Sequence, residues 1–437
     1  MENTHHKIGS YWEASVDHLP QDPMLQDDVS VEFAIVGAGY TGLSAALRLA
    51  EQGHSVAILE AKHVGWGASG RNGGFCCFGG TKKSEADLVR HYGLEEAKAF
   101  VRYQCESIET VRARLDNWGV DADRHSDGEV ILAHRPRELD SFAEEAAYLK
   151  TTFGLSARVL SKSDLQDEGL SGPEFHGGFH VAHGFALNPM KYVLALAQKA
   201  REAGVRIFGT SPVKKLSREG AKWRLQTDRG TVTANKVILA GNGYRDESLP
   251  KWLYGRTLPV MSSVHVTRPL TDTELADQGW TSDLMAADTR ILLHYFRLMP
   301  DRRFLFGTRG GLVETPGSLE AMKATGRKDF DRMFPAWRHV ESEHSWYGHV
   351  CLSWNLTPFV GEIPESEGVY TAMAWHGSGI AMASLSGEKV ADLACGHLTS
   401  SEVPAVMRAP FRRFPFPPLR LAYLQLAYWW YGLRDRM

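Results

Sequence analysis

Residues 31–60 constrain the fold more than any other stretch of the chain, and they read VEFAIVGAGYTGLSAALRLAEQGHSVAILE. An apolar run, a glycine turn, a segment with helical spacing and a second apolar run predict a β-α-β unit. Gly37, Gly39 and Gly42 form the pattern G-x-G-x-x-G, and Glu60 ends the second strand about 20 residues later. Such glycines let the backbone approach a pyrophosphate, the helix N-terminus favours its charge, and the carboxylate accepts hydrogen bonds from a ribose. The unit therefore predicts a bound dinucleotide, which can be NAD, NADP or FAD.

The composition narrows the class of protein. A chain of 437 residues predicts about two domains, and 43% hydrophobic with 23% charged residues is typical of a soluble globular protein. The net charge of −3 gives no reason to expect a nucleic-acid partner. Five cysteines without a C-x-x-C pair argue against a disulfide framework and a zinc site, and no metal site is predicted. The chain lacks a secretion signal and any run of ~18 apolar residues, so we expect a cytoplasmic protein.

Three further features favour a flavin over NAD alone. Residues 64–75, VGWGASGRNGGF, contain five glycines in twelve positions, which lets the backbone wrap closely around a ligand. Residues 375–393, WHGSGIAMASLSGEKVADL, predict a second turn and helix N-terminus, which suits the flavin pyrimidine because it becomes anionic on reduction. An alternating segment before the strand at 237–240 matches the usual decoration of FAD domains. An NAD-only dehydrogenase would leave the first two features without a purpose.

Together these motifs resemble the D-amino-acid-oxidase-like family of FAD-dependent oxidoreductases, most closely its γ-glutamylputrescine oxidoreductase branch. The resemblance rests on blocks in the same order along nearly the whole chain. The blocks are SYW at 10–12, GASGRNGG at 67–74, LNP-KY at 187–192, YFR to FLFG at 295–307, and FPFPPLR to WWYGLRD at 414–435.

The resemblance implies a FAD site and the residues that form it. In that site the flavin rests on the second glycine-rich stretch, Val213 contacts the adenine side through its backbone, and residues 377–380 cap the pyrimidine. The implied FAD-binding residues are Gly37, Ala38, Gly39, Tyr40, Thr41, Gly42, Glu60, Ala61, Gly67, Ala68, Ser69, Arg71, Asn72, Gly73, Gly74, Val213, Gly241, Gly377, Ser378, Gly379 and Ile380. Relatives with covalent flavin use a histidine where this chain has Arg71, and the surroundings of Cys351 do not match the other attachment pattern. We therefore expect non-covalent FAD.

The expected fold is α/β, with a Rossmann-like FAD-binding domain of the glutathione-reductase type and a discontinuous β-rich substrate domain with helices. The FAD-binding domain is predicted at 31–110, 185–250 and 345–400, the substrate domain at 111–184 and 251–344, an N-terminal extension at 1–30 and a C-terminal aromatic helix at 401–437. That last helix either docks on the protein's own surface or makes peripheral membrane contact.

Four residues are candidates for catalysis, each with a structural alternative. Arg309 ends a predicted strand and is the expected anchor for a substrate carboxylate, unless it is a surface arginine. Tyr295 shares a strand face with Arg297 and could hydrogen-bond the substrate, or belong to the core. His376 precedes the second glycine turn and could stay near the reduced flavin as a cation. His265 lies on a strand expected above the flavin ring; either histidine could instead be structural.

The function predicted from these features is oxidation of the C–N bond of an amine or amino acid. Hydride passes to flavin N5, the imine product hydrolyses, and O2 is the expected electron acceptor. One alternative is a FAD dehydrogenase that passes electrons to a quinone or a protein carrier at a membrane surface. Another is a flavin-binding assembly protein without catalysis. The particular amine and the oligomeric state are left open.

Overall fold

The computed structural model describes residues 10–435, and within that range it contains eighteen strands and twelve α-helices. Residues 1–9 of the predicted N-terminal extension and residues 436–437 of the predicted C-terminal helix lie outside the described residues. The strands are β1 Val29–Val36, β2 Val56–Leu59, β3 Phe75–Cys76, β4 Glu129–Leu132, β5 Ala157–Ser161, β6 Gly177–Val181, β7 Phe185–Ala186, β8 Arg206–Phe208, β9 Lys215–Glu219, β10 Lys222–Gln226, β11 Thr231–Leu239, β12 Thr257–Thr267, β13 Met285–Asp288, β14 His294–Leu298, β15 Phe304–Arg309, β16 Ser342–Ser353, β17 Phe359–Glu362 and β18 Val369–Met373. The helices are α1 Tyr11–Ala14, α2 Tyr40–Glu51, α3 Glu85–Tyr92, α4 Leu94–Trp118, α5 Phe142–Phe153, α6 Lys162–Asp167, α7 Pro189–Glu202, α8 Asp272–Gln278, α9 Pro316–Met333, α10 Gly379–Cys395, α11 Ala405–Arg408 and α12 Arg420–Arg434.

The first sheet has the order β17-β18-β11-β1-β2-β8, with β10 and then β9 added beside β11. Strands β18, β11, β1, β2 and β8 are parallel to one another, whereas β17 and the β9–β10 pair are antiparallel additions. Helix α2 packs against α7 and α10, and α4 packs against α10. Every residue of β2 is buried, as expected for a parallel strand covered on both faces. This arrangement confirms the predicted Rossmann-like domain.

The second sheet has the order β16-β12-β15-β14-β13-β4-β6-β5 and is antiparallel except for the β13–β4 pair. Helix α9 packs against β12 and β15. Buried aromatic side chains fill the layer between this sheet and its helices; the rings of Phe304 and Phe334, for example, lie 4.8 Å apart. Large aromatic rings bury much apolar area, so they can hold a helix layer on a strongly twisted sheet. The sheet is the β-rich second domain of the predicted fold class.

Three of the predicted domain boundaries fall inside a strand or an α-helix, and the first of them lies between residues 30 and 31 of β1. Residues 345–353 were placed with the FAD-binding domain, but β16 pairs with β12 along its whole length and so belongs to the second sheet. The boundary between residues 110 and 111 falls inside α4, which continues as one helix to Trp118. Neither of the last two points could be read from local pattern, because strand pairing and helix packing depend on residues far along the chain.

The C-terminal segment forms α12, which packs against the second sheet. Leu424 is buried against that sheet, whereas Leu426, Trp429 and Trp430 on the other side of the helix are 65%, 65% and 54% exposed. The Asp435 carboxylate accepts hydrogen bonds from two backbone N–H groups of the loop before β14, at 3.0 Å each. No helix among residues 10–435 is both long and apolar enough to cross a lipid bilayer.

Candidate active site

A cavity of about 930 Å³ is lined by residues of both sheets and of the loops that follow their strands. Its volume lies at the upper end of the range for small-molecule and cofactor sites. We call the side formed by the first sheet and its loops the cofactor wall, and the side formed by the second sheet the substrate wall. The site is described below from these two walls.

The turn between β1 and α2 forms the centre of the cofactor wall. Gly37 has φ +105°, a backbone conformation that favours glycine. A Cβ atom on Gly42 would lie 2.0 Å from the Gly37 carbonyl oxygen, so only glycine lets α2 start this close to the turn. The twelve residues of α2 therefore direct their N-terminus, and its free N–H groups, into the cavity.

Glu60 closes the same turn from the end of β2. Its carboxylate accepts hydrogen bonds from the backbone N–H of Ala38 at 2.8 Å and of Lys62 at 2.9 Å. Burial raises the pKa of Glu60, while these N–H groups oppose the rise by stabilising the carboxylate. The carboxylate lies at the edge of the cavity, in the position from which a dinucleotide fold accepts ribose hydroxyls.

The loop after β2 carries the second glycine-rich stretch and is fixed by hydrogen bonds to its own side chains. Ser69 Oγ accepts from the N–H of Tyr40, and the Tyr40 hydroxyl donates to the Ser69 carbonyl at 2.8 Å. Asn72 donates to the Ala68 and Ser69 carbonyls and accepts from the Gly74 N–H at 2.8 Å. The Ser and Asn of this stretch thus hold the backbone in one shape against the cavity.

Arg297 supports this loop from the second sheet, a role that the sequence analysis did not assign. Its guanidinium is 1% exposed and donates to the carbonyls of Gly73 at 3.0 Å and Leu187 at 2.9 Å. Burial lowers the pKa of Arg297, and its partners are two backbone carbonyls and the His125 Nε2 at 2.7 Å, without an ion pair within the described chain. The only sequence signal was its position two residues from Tyr295 on a strand.

The cofactor wall fits a dinucleotide with an extended second half. A Cβ atom on Gly39 would lie 2.7 Å from Ser69 Oγ and would narrow the space between the β1–α2 turn and the loop at 67–74. The Nε of Arg71 is buried without a hydrogen-bond partner among the described residues, so a polar group is left for a ligand to meet. The Arg71 guanidinium stacks on Trp66, 4.3 Å from the ring centre, which holds it at the cavity edge.

A second helix N-terminus enters the cavity at residues 377–380. Helix α10 starts at Gly379 and runs for seventeen residues, so its N-terminal N–H groups present a partial positive charge to the cavity. A Cβ atom on Gly377 would lie 2.8 Å from an Nη of Arg309, which brings the turn against the substrate wall. Two helix N-termini therefore converge on one cavity, as a ligand with two anionic regions requires.

His376 lies beside this turn as a buried, neutral histidine, which favours the structural alternative over a cation. Its Nε2 accepts a hydrogen bond from the Ser353 N–H at 3.2 Å, and its Nδ1 donates to the Gly80 carbonyl at 3.1 Å. The ring is 1% exposed, and burial together with nearby Lys82 lowers the pKa of His376 to about 3. His376 lines the cavity and ties the loop at Gly80 to β16 as a neutral tautomer.

Tyr295 and Arg309 lie on the substrate wall. The Tyr295 hydroxyl is 3.2 Å from Ser262 Oγ, and its ring lies over Gly307, where any Cβ atom would clash with it. Arg309 ends β15 inside the cavity; burial lowers its pKa, and the only groups that oppose this are the Tyr295 and Tyr428 hydroxyls. In the described part of the chain no carboxylate pairs with Arg309, so its charge is available to a ligand.

His265 faces away from the cavity, which corrects its predicted position above the flavin ring. Ser262 and Val264 of β12 line the cavity, so His265 points to the opposite face of the strand. There its Nδ1 lies 2.9 Å from Ser345 Oγ, and its ring packs against Gly326 of α9. Burial lowers the pKa of His265 to about 4, as suits a neutral structural histidine.

Lys82 and Glu129 are ionisable residues of the cavity that the sequence analysis missed. Burial lowers the pKa of Lys82 to about 7, and the nearby Arg309 lowers it further. Burial raises the pKa of Glu129 to about 7, against the opposing effects of a hydrogen bond from the Cys77 thiol and the charge of Lys82. A glutamate at the start of the apolar segment EVIL was a signal that could have been noticed; the loop GGTKKSE gave none.

The structure thus gathers most of the sequence-predicted site residues around one cavity. All implied FAD-binding residues line it except Gly42 and Gly74, whose missing Cβ atoms make room for neighbouring carbonyl groups. Of the four catalytic candidates, Arg309, Tyr295 and His376 line the cavity and His265 does not. The roles of these residues toward FAD and substrate stay predictions.

Comparisons with known proteins agree with this site. The family model described as FAD dependent oxidoreductase matches residues 32–393. A probable oxidoreductase OrdL of Haemophilus influenzae is 31% identical, covering 89% of this chain and 88% of that protein. The γ-glutamylputrescine oxidoreductase of Escherichia coli is 27% identical, covering 98% of each chain.

Solved structures give the same fold. The glycine oxidase of Geobacillus kaustophilus superposes with a TM-score of 0.68 at 22% identity, covering 85% of this chain and 96% of that one. The resemblance inferred from the motifs is therefore confirmed, and with it FAD as the cofactor. The chain belongs to the FAD dependent oxidoreductase family and is an FAD-dependent oxidoreductase.

Proposed function

We propose that this protein oxidises the C–N bond of an amine or amino acid that carries a carboxylate. One observation carries the proposal: the Arg309 guanidinium, without an ion-pair partner among the described residues, lines the same cavity as the turns predicted to hold the flavin and lies against the turn at Gly377. The names of two relatives, a γ-glutamylputrescine oxidoreductase and a glycine oxidase, support the same substrate class. Bound FAD would supply a hydride acceptor at N5, and the imine product would hydrolyse in water.

Non-covalent binding of FAD is the second part of the proposal. The turn after β1, Glu60, the loop at 67–74 and the α10 N-terminus would hold the cofactor through backbone N–H groups and one carboxylate. Burial raises the pKa of the Cys351 thiol, which makes it a poor nucleophile toward a flavin. Arg71 stands where related proteins with covalent flavin have a histidine. Heating or acid should therefore release intact FAD into solution.

On the substrate wall, Arg309 would bind the carboxylate and the Tyr295 hydroxyl would donate a second hydrogen bond to it. An arginine and a phenol in fixed positions orient a carboxylate strongly, and orientation is the main requirement of a hydride transfer. No general base of high strength is needed, because only a neutral amine has to be aligned. The raised pKa of Tyr295, caused by burial, keeps its hydroxyl protonated as a donor.

O2 is the proposed electron acceptor, and one observation favours a second candidate. Leu426, Trp429 and Trp430 project from α12 into solvent, and aromatic side chains of this kind prefer the interface of a membrane. In that case the protein would be a dehydrogenase that passes electrons to a quinone or a carrier at a membrane surface. Replacing both tryptophans by serine should then abolish co-sedimentation with vesicles and leave the flavin colour unchanged. The proposed compartment in either case is the cytoplasm, in keeping with five free cysteines.

Anaerobic addition of substrates to the yellow protein tests the proposal. The panel contains γ-glutamylputrescine, N-methylated amino acids, cyclic imino acids and plain amines, and the visible flavin band is recorded. Bleaching by a compound with an amine and a carboxylate is the expected result, and recovery of colour in air would establish O2 as acceptor. If dithionite bleaches the flavin but no compound of the panel does, the amine-oxidising function is wrong, and a non-catalytic flavoprotein becomes the better account.

A further inference from the structure

Glu129 belongs to a row of residues that crosses the substrate wall. Glu129 and Ile131 alternate with buried residues on β4 and both line the cavity. Ile131 pairs with Ala287 of β13, and Ala287 pairs with Tyr295 of β14. The cavity-facing side chains of three neighbouring strands therefore form one continuous surface.

The same row continues to Arg309 at its other end. Tyr295 pairs with Gly307 of β15, and Arg309 follows Gly307 by two residues on the same face. Glu129 and Arg309 are thus separated by three strand spacings, which is roughly 14 Å across the sheet. Because β15 runs in the direction of β4, Glu129, two residues before the row, and Arg309, two residues beyond it, lie at diagonally opposite ends of the wall.

The two ends carry opposite charge types, and among the described residues neither forms an ion pair. Arg309 has no carboxylate partner, and Glu129 has only the Cys77 thiol as a hydrogen-bond donor among the described residues. Lys82 lies near enough to interact with both groups, but in residues 10–435 it makes no direct ion pair with Glu129. A half-buried carboxylate without a cation in contact is costly, so this end of the cavity favours a ligand that brings a positive charge.

The geometry also separates Glu129 from the region expected to face the flavin. The loop residue Gly73 packs against the Tyr295 ring, and the turn residue Gly377 packs against Arg309. Glu129 instead contacts Cys77, beyond the end of that loop. The carboxylate end of a substrate would therefore lie beside the flavin turns, while Glu129 would meet a remote part of it.

We propose that Glu129 is a specificity residue that binds an ammonium group of the substrate remote from the carboxylate held by Arg309. The substrate class is then an elongated carboxylate with two amino groups, one near the carboxylate for oxidation and a charged one several bonds away at Glu129. This inference rests on the proposed function, since it names the substrate of the same site. Glu129 would bind the ammonium group through its charge alone and would take no part in the oxidation.

Binding of matched carboxylates to the oxidised holoenzyme tests the inference. Hexanoate and 6-aminohexanoate differ only in the remote ammonium, and the perturbation of the visible flavin spectrum gives a dissociation constant for each under anaerobic conditions. We expect 6-aminohexanoate to bind roughly tenfold more tightly or better, because a charge-assisted hydrogen bond is gained. In the series of 4-aminobutyrate, 6-aminohexanoate and 8-aminooctanoate, the preference over the parent acid should peak at one chain length.

Variants then locate the effect at Glu129. Glu129→Gln should remove the preference for the amino acid over hexanoate, and Glu129→Asp should keep part of it. Glu144→Gln, which removes an exposed carboxylate on α5, is the matched control and should bind both ligands as the wild type does. The inference is overturned if wild-type protein binds each amino acid and its parent acid equally, a result that needs no variant to fold. It is also overturned if Glu129→Gln keeps the full preference.

Failure of this inference can be distinguished from failure of the proposed function, because dissociation constants test the first and flavin bleaching tests the second. Failure of every amine to bleach the flavin would overturn amine oxidation without changing the dissociation constants compared here. Conversely, bleaching by amines with equal binding of hexanoate and 6-aminohexanoate would leave oxidation in place and remove Glu129 from substrate recognition.

Discussion

The two walls of the cavity are built in different ways. The cofactor wall comes from short motifs, such as residues 37–42, 67–74 and 377–380, in which neighbours in sequence are neighbours in space. The substrate wall is assembled from β4, β12, β13, β14 and β15, whose cavity-facing residues are brought together only by strand register. Backbone N–H groups dominate the first wall and ionisable side chains the second. The cofactor can therefore be read from local sequence, whereas the substrate can be read only from the assembled sheet.

The largest expected effect concerns the cofactor wall. In Gly39→Val, the new side chain would clash with Ser69 Oγ, because even a Cβ atom would lie 2.7 Å from it. We expect the purified variant to lose most of its FAD, measured as visible absorbance per mole of protein. Gly317→Ala, in the first turn of α9 where a Cβ atom meets nothing within 4 Å, should keep full FAD content. A fully yellow Gly39→Val protein would break the assignment of this turn to the cofactor.

Removal of the Arg309 charge from the substrate wall should weaken ligand binding and leave the cofactor bound. Arg309→Met removes the unpaired guanidinium, so the dissociation constant for a carboxylate such as propionate should rise roughly 10- to 150-fold, because a charged hydrogen bond is lost. FAD content should match the wild type. Arg229→Met changes an exposed arginine far from the cavity and serves as control. Unchanged propionate binding in Arg309→Met would show that the carboxylate lies elsewhere.

The contrast between the walls explains how much could be predicted from sequence. Fold class, cofactor and the residues of the glycine-rich turns followed from local spacing, because such turns have one geometry wherever they occur. His265 was assigned the wrong face, since alternation along β12 fixes which residues share a face but not which face meets the cavity. Glu129 and Lys82 were missed, because their meeting in one cavity depends on strand pairing and on the path of the loop after β3. The charge of His376 was left open between a cation and a structural histidine, because burial, which sets its pKa, is a property of the folded chain.

His376 joins the two walls, and its neutral state predicts a pH effect on stability. Its pKa is about 3 in the folded protein, whereas an unfolded histidine titrates near 6.5. Between these pH values the unfolded chain binds a proton that the folded chain does not, so stability falls as the pH is lowered, by ~1.4 kcal/mol per pH unit. From pH 7 to pH 5, His376→Gln should lose ~2 kcal/mol less stability than the wild type in urea unfolding followed by tryptophan fluorescence.

The control for this prediction is His397→Gln, which changes an exposed histidine and should follow the wild type at both pH values. Equal acid losses for wild type and His376→Gln would mean that His376 is charged in the folded protein. The alternative of a cation beside the flavin would then be favoured, and the junction between the walls would carry a positive charge.

The smallest expected effect is that of the Tyr295 hydroxyl. In Tyr295→Phe the ring stays packed over Gly307, and the variant loses the hydrogen bond with Ser262 Oγ and the one from the uncharged hydroxyl to the carboxylate. The dissociation constant for propionate should rise roughly 2- to 10-fold, with FAD content unchanged. Tyr254→Phe, on an exposed loop, is the matched control. A loss of FAD in Tyr295→Phe would move this residue from the substrate wall to the cofactor wall.

We infer that one cavity holds FAD on one wall and a carboxylate-bearing amine on the other. The rate of anaerobic flavin bleaching tests it most directly, with an amino acid that reduces the wild type and its decarboxylated amine as a matched pair. We predict that wild-type protein is bleached much faster by the amino acid at equal concentration, and that Arg309→Met, still yellow, loses this preference. Bleaching of wild type and Arg309→Met by both compounds at equal rates would contradict the assignment of the substrate wall.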